Sequence, residues 1–301
     1  MTEQDITQES IQGALEGLGI CRGDRIVMHS NLQSLGKAKC LARLPNCGAD
    51  ALVNAFLSLV GPEGILCVPT FTKTFASPTS GPHGEIFDPD TTPSRVGSIT
   101  NIVLKRKERV RSLHPTHSWV AIGRDAAALV EGHERTSTFG RDSVCGRMYD
   151  WDFKVVWFGT TGTTNTSTHF AEDWLNLPNM LSEDALVRDG DSFKKVSVYR
   201  CPSGPRDFYK NGCKLDKQLE KWNIQQAGRV HESTVLVMRH RVFMNHLLRA
   251  MIDDPCLLLA DGKDDAYHLQ FYKVNRDYMT QQQRRLGGPD GILKSLCCTL
   301  T

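Results

Sequence analysis

The sequence predicts an α/β fold, on three observations. Two short apolar runs, Ile65-Leu66-Cys67-Val68 and Val155-Val156-Trp157-Phe158, have the continuous hydrophobic character of strands buried on both faces of a sheet. Segments with helical apolar spacing alternate with such runs along the chain. The strand candidates lead into loops of small and polar residues, and the carboxyl ends of strands are where open α/β sheets bind ligands.

A chain of 301 residues can bury one large core or two modest ones. Hydrophobic residues make up 40% and charged residues 23%, which excludes wholesale disorder and collagen-like structure. A net charge of +2 gives no general attraction to nucleic acid or membrane, and the clusters Lys105-Arg106-Lys107 and Arg239-His240-Arg241 read as solvated faces. No apolar run is long enough to span a bilayer, and the polar start Met1-Thr2-Glu3-Gln4-Asp5 lacks a signal-peptide core, so a cytoplasmic protein is expected. The ten cysteines include no CxxC pair, and Cys67 and Cys256 lie in apolar runs, as buried reduced thiols do.

Taken in order, a first helix should start near Asp5, whose relation to Gln8 has the form of a capping box. Ile11, Leu15 and Leu18 then keep helical spacing up to Gly19. Arg22-Gly23-Asp24 turns into the strand Arg25-Ile26-Val27-Met28, followed by the polar loop 29–36 and a long link over 37–47 of the kind that forms flaps. A helix over 50–59 places Leu52, Ala55, Phe56 and Leu59 on one face and stops at Gly61-Pro62. The next strand ends in Pro69-Thr70-Phe71-Thr72. Residues 74–84, rich in proline and glycine, read as a surface loop. Ser94 occupies the cap position of a helix over 96–105. His114-Pro115-Thr116-His117-Ser118 precedes the apolar strand 119–122, and Phe139-Gly140-Arg141-Asp142-Ser143 is a further small-residue loop. Beyond Pro178, antiparallel strands are expected over 195–199 and 233–238, with an amphipathic helix over 242–252 stopped by Asp253-Asp254-Pro255. Residues 276–301 read as a loosely ordered tail, leaving 1–275 as one domain.

The chemistry concentrates in residues 165–174, NTSTHFAEDW, delivered by the strand ending at Phe158 through the turn-forming Gly159 and Gly162. If this segment is helical, His169 and Glu172 share one face and the carboxylate can orient and polarise the imidazole, the minimal apparatus of a general base. The same spacing also occurs as a simple surface hydrogen bond. His114 and His117 lack a third ligand at metal-binding spacing, so no metal site is predicted.

Several of these motifs, in this order, resemble the antibiotic N-acetyltransferase family, that of the aminoglycoside 3-N-acetyltransferases. They are Leu18-Gly19-Ile20 with Gly23-Asp24, His29-Ser30 with Leu32 and Ser34-Leu35-Gly36, Gly61-Pro62-Glu63-Gly64, and Pro69-Thr70-Phe71-Thr72. Phe87-Asp88-Pro89 with Thr92-Pro93-Ser94, Arg111-Ser112 with His114-Pro115-Thr116-His117-Ser118, Gly132-His133, Phe139-Gly140, and Asn165-Thr166-Ser167 with His169 and Ala171-Glu172 continue the series. The resemblance implies a single α/β domain with a mixed central sheet flanked by helices. It implies acetyl-CoA as donor and direct transfer to a small-molecule amine, with His169 as base and Glu172 as its support. Donor contacts are then expected from Ser30, Asn31, Leu32, Ser34, Leu35, Gly36, Thr70, Phe71, Ser94, His114, Thr116 and Ser118, and acceptor contacts from Thr72, Asp88 and Asp173. A homodimer stays open. So does the acceptor, an aminoglycoside, an amino sugar or a biosynthetic amine, because the chain departs from the family's pattern in the link 37–47 and in His231, where the family's Arg-Val-Gly has glycine. A coenzyme A-thioester hydrolase, an acyltransferase using another donor, and a coenzyme A-binding protein without chemistry are the competing readings.

Overall fold

The apolar runs become the centre of a seven-stranded mixed sheet in the computed structural model, which describes residues 7–35, 49–72, 74, 85–205, 213–260 and 266–297. Its strands are β1 (Arg25–Ser30), β2 (Ile65–Pro69), β3 (Val110–Arg111), β4 (Trp119–Gly123), β5 (Lys154–Phe158), β8 (Gln226–Val230) and β9 (Ser233–Arg239), in the order β3-β4-β2-β1-β5-β9-β8. β1 runs parallel to β2 and β5, whereas β4 and β9 are antiparallel to their neighbours. Two strands between these, β6 (Met180–Asp189) and β7 (Ser192–Pro202), form a separate antiparallel hairpin.

Alternation along the central strands sorts the core into two layers, as a pleated strand requires. Val27, Cys67, Val155 and Trp157 face one way and pack with α4 (Ala126–Val130), α5 (Val144–Asp150), α6 (His169–Trp174), α7 (Lys214–Trp222) and α8 (His240–Asp253). Ile26, Met28, Leu66, Val68, Val156 and Phe158 face the other way, onto α1 (Gln8–Gly17), α2 (Ala49–Val60) and α3 (Ser98–Leu104). Cover on both faces is why these strands carry no polar alternation.

Three sequence expectations change. The described part of α1 is capped by Thr7 in a reciprocal box with Ser10, two positions on from the box expected at Asp5. α3 starts at Ser98 behind Gly97, and Ser94 accepts instead from the Thr100 hydroxyl at 2.8 Å. From residue 276, where a loose tail was expected, the chain is helical. α9 (Ala266–Leu286) runs through that point and α10 (Pro289–Cys297) follows, with Met279 and Ile292 buried in the main core. The links 37–47 and 75–84 lie outside the described residues.

Topology gathers the polar loops at one edge. The carboxyl ends of the parallel strands β1, β2 and β5 share it. Because β4 is antiparallel, with Trp119 opposite Pro69, it brings the front end of that strand, and the loop 114–118, to the same edge. β9 does likewise for Ser233, whose hydroxyl meets that of Ser34 at 2.7 Å. Gly159, at φ +64, turns the chain off β5 here; a Cβ on it would lie 1.6 Å from Ser34 Oγ, so the approach admits only glycine.

Candidate active site

Past Gly159 the chain makes a short 3-10 turn over Thr166–Thr168 and enters α6 at His169. Asn165 shapes that turn: its Oδ1 accepts from Ser167 N at 3.2 Å and Ser167 Oγ at 2.6 Å, and its carbonyl accepts from Thr168 Oγ1 at 2.7 Å. Three residues into the helix, Glu172 Oε2 lies 2.5 Å from His169 Nδ1. The two side chains are 2% and 1% exposed, so this is an interior pair and not a surface contact. A carboxylate only accepts, which puts the proton on Nδ1 and leaves the Nε2 lone pair as the basic site. Glu172 Oε1 accepts from Asn179 Nδ2 at 2.8 Å, and Asn179 Oδ1 in turn accepts from Asn275 Nδ2, on α9, at 3.0 Å.

Phe139 lies edge-on to His169 at 5.1 Å and to His117 at 5.3 Å. Behind His117, His114 lies 4.5 Å from the ring of His133. Hydrogen bonding fixes the His114 ring as neutral. His114 Nδ1 accepts from the His117 backbone N–H, while its Nε2 meets Thr138 Oγ1, which gives its own proton to the Tyr199 carbonyl. His133 Nε2 donates to the Thr138 carbonyl and its Nδ1 faces Ser112 Oγ. Burial is the main cause that pushes His117 down to about 3, with the charge of His169 adding to it, and His133 down to about 4. These rings are uncharged at neutral pH. No group of three histidine, cysteine or acidic side chains disposed to hold a metal occurs among the described residues.

A cavity of about 310 Å³ opens at the same edge, lined by Met28, His29, Ser30, Pro69, Phe71, Arg95, Val96, Thr100, Thr164 and Thr166. Phe71 joins it to the histidine group, lying 4.8 Å from His117 and 6.3 Å from Phe139. One buried polar atom of this wall, Thr166 Oγ1, makes no hydrogen bond within the protein. A buried group of this kind is ordinarily satisfied, so it marks a point open to ligand or water. Burial, and then the charge of His240, push His29 down to about 3, which leaves it a neutral ring.

The model of the aminoglycoside 3-N-acetyltransferase family matches residues 27–251. The chain belongs to that family. An aminoglycoside N(3)-acetyltransferase III of Salmonella sp is 29% identical over 191 residues, covering 58% of this chain and 62% of its own length, so the chain spans less than two thirds of that relative. Among solved structures, a histidine-to-alanine mutant of AAC(3)-IVa in complex with a gentamicin has a TM-score of 0.73 at 21% identity, over 92% of this chain and 99% of that one. AAC-IIIb in a binary complex with CoASH gives 0.71 at 17% identity, over 85% and 99%. These likenesses establish the acetyltransferase fold.

Against the sites that the family resemblance implies, the structure divides the residues. Ser30 and Phe71 line the cavity. Leu35 is a core side chain with no exposed surface, and Ser34 is engaged by Ser233 and the Asn31 carbonyl, so neither side chain faces the cavity. Asn31 caps its own turn through Gln33 N, and Leu32 packs against the core. Gly36 lies outside the described residues. Thr70 and Ser118 share an internal bond of 2.9 Å beside Arg111, and the Thr116 hydroxyl meets His117 Nδ1 at 2.9 Å. His114 borders a different cavity, with Leu113, Pro115 and Tyr199. On the acceptor side, Thr72 is locked onto the Pro115 carbonyl at 2.6 Å. Asp88 accepts from Asp90 N and Thr91 N within its own turn, the first of which is the main cause holding its carboxyl below the usual range. Asp173 is paired with Arg200 at 3.0 Å and accepts from Ser137. Arg95, Thr100, Thr164 and Thr166 belong to the cavity without having been singled out; Arg95 follows Ser94 directly, and only the folded loop shows that it borders the cavity.

Proposed function

We propose that this chain is an acetyl-CoA-dependent N-acetyltransferase that moves the acetyl group directly onto a primary amine of an aminoglycoside, an amino sugar or a related biosynthetic amine. The observation that carries this reading is the buried pair His169–Glu172, at 2.5 Å. An amine is protonated near neutral pH and becomes a nucleophile only when a base takes its proton, which is the work a neutral imidazole oriented by a carboxylate performs. Glu172 is the supporting group: it holds the tautomer and stabilises the imidazolium that forms.

The cavity fits a donor of the coenzyme A kind. Bound there, acetyl-CoA supplies an activated thioester. Ser30 and Thr166 offer hydroxyls along the wall, and Phe71 and Pro69 give an apolar floor. Arg95 borders the cavity with its guanidinium paired to Glu85. Burial pushes the Cys67 thiol well up and Cys201 up to about 12, so neither is a thiolate nucleophile, in keeping with direct transfer.

The test is release of free thiol from acetyl-CoA by the purified protein across a panel of amines. Amine-dependent release with an acetylated product supports the reading; release independent of amine makes the protein a hydrolase.

A further inference from the structure

We infer that Asn275, on a helix beyond the family-matched segment, positions the base by fixing the orientation of the Asn179 amide against Glu172. The inference rests on the reading of His169 as base. A line of four buried side chains carries it, His169, Glu172, Asn179 and Asn275, none more than 2% exposed. Successive contacts are 2.5 Å, 2.8 Å and 3.0 Å.

Donor and acceptor identities run one way along this line. Glu172 Oε1 and the Ser203 carbonyl, 3.4 Å from Asn179 Nδ2, can only accept, so Asn179 must turn both N–H bonds toward them. Its Oδ1 then faces α9 and needs a donor, which Asn275 Nδ2 supplies while also reaching the Pro255 carbonyl at 3.3 Å. Asn275 Oδ1 is buried and makes no hydrogen bond. Only the donating half of that amide is used. The carboxylate thus receives a fixed N–H on one oxygen and the imidazole on the other, which keeps it ionised and oriented in an interior where an unsupported carboxylate would take up a proton.

Among the described residues, His117 lies near the pair across Phe139, and Asp173, next to Glu172 in α6, is paired with Arg200. On the α9 side the chain of contacts ends at the Pro255 carbonyl, which is uncharged.

The test is the acetyl-transfer assay on Asn179→Leu, Asn275→Leu and the double variant, with full pH profiles. Removing the N–H from Glu172 makes the carboxylate more basic, so the acid limb of the rate should move to higher pH in Asn179→Leu, with kcat down about tenfold or more, the scale of one hydrogen bond to a charged group. Asn275→Leu should move the limb the same way with a loss of about fivefold, and should add nothing in the Asn179→Leu background, because it acts through that amide. The KM for acetyl-CoA should stay put in all three. Additive losses, or an Asn275→Leu enzyme with the wild-type limb, would overturn the proposal. Should a leucine variant fail to fold, wild-type NMR decides: the Asn179 and Asn275 side-chain amide signals must titrate together with the His169 ring, and a flat Asn275 signal contradicts the coupling. That measurement needs no turnover. A protein that shows the coupled titration but transfers no acetyl group would refute the enzymatic reading and leave the network standing.

Discussion

At the scale of single residues, His169 and Glu172 were legible because their relation is local: three positions apart on a helix, they meet whatever the rest of the fold does. Asn179 and Asn275 were not legible, since 96 positions separate them and neither stands in a motif. The hydroxyls misled. Thr70, Thr72 and Ser118 stand in loops at the ligand-binding edge, yet each is taken up by its neighbours. His231 sits at φ +53, in the region glycine favours, and its Nδ1 donates to the Leu35 carbonyl at 3.0 Å, tying the first loop to the β8–β9 turn. A prediction belongs here. Glu172→Gln keeps a group able to accept from Nδ1 but removes the charge that stabilises the imidazolium, so turnover should persist at a measurable, reduced rate. A loss as deep as that of His169→Ala, with coenzyme A binding intact, would reassign the base to Glu172.

At the scale of elements, the strands β1, β2 and β5 were read with the right type and nearly the right ends, because burial on both faces leaves a continuous apolar run. The hairpin β6–β7 was only half seen. Most of β7 is exposed or half-exposed, so its sequence carries weak alternation, and a register shift between Leu181 and Glu183 interrupts that of β6. α9 escaped for a related reason: of its 21 residues only Asn275 and Met279 are buried, too narrow a stripe to show as periodicity. That helix is nonetheless anchored, with Gln283 Nε2 donating to the Ile252 carbonyl at 3.0 Å. Met279→Ala should therefore cost about 2–5 kcal/mol, as truncation of a buried methionine does. Urea unfolding measures it, and a change below about 0.5 kcal/mol, the range of surface substitutions, would mean that the helix is not part of the core.

At the scale of the whole molecule, family membership, sheet topology and buried charge combine into a statement about pH. Burial pushes His29, His117 and His240 down to about 3 and His133 to about 4, and holds His114 well below its ordinary value of 6.5. Each ring is neutral in the fold and gains a proton on unfolding once the pH drops below 6.5, so the unfolded chain binds more protons. Stability from this source is fully present above about pH 6.5 and falls as pH is lowered toward 4, by about 1.4 kcal/mol per pH unit for each histidine. The urea midpoint should drop steeply from about pH 7 to about pH 5; a midpoint unchanged across that span would show that these rings take up protons without unfolding. None of this was readable in advance. The sequence marked His114 and His117 as a cluster, but only the antiparallel β4 brings them beside His133 and, across Phe139, beside His169.

The central claim is that His169 is the base that deprotonates the acceptor amine. It is tested most directly by comparing amine-dependent thiol release from acetyl-CoA in the wild type and in His169→Ala, with acetyl-CoA affinity measured by calorimetry on both. The account predicts a fall of about 10²–10⁴-fold in kcat, the span of general-base catalysis, at nearly unchanged donor affinity. A variant that keeps more than roughly a tenth of the wild-type rate, above what loss of a base allows, would contradict it.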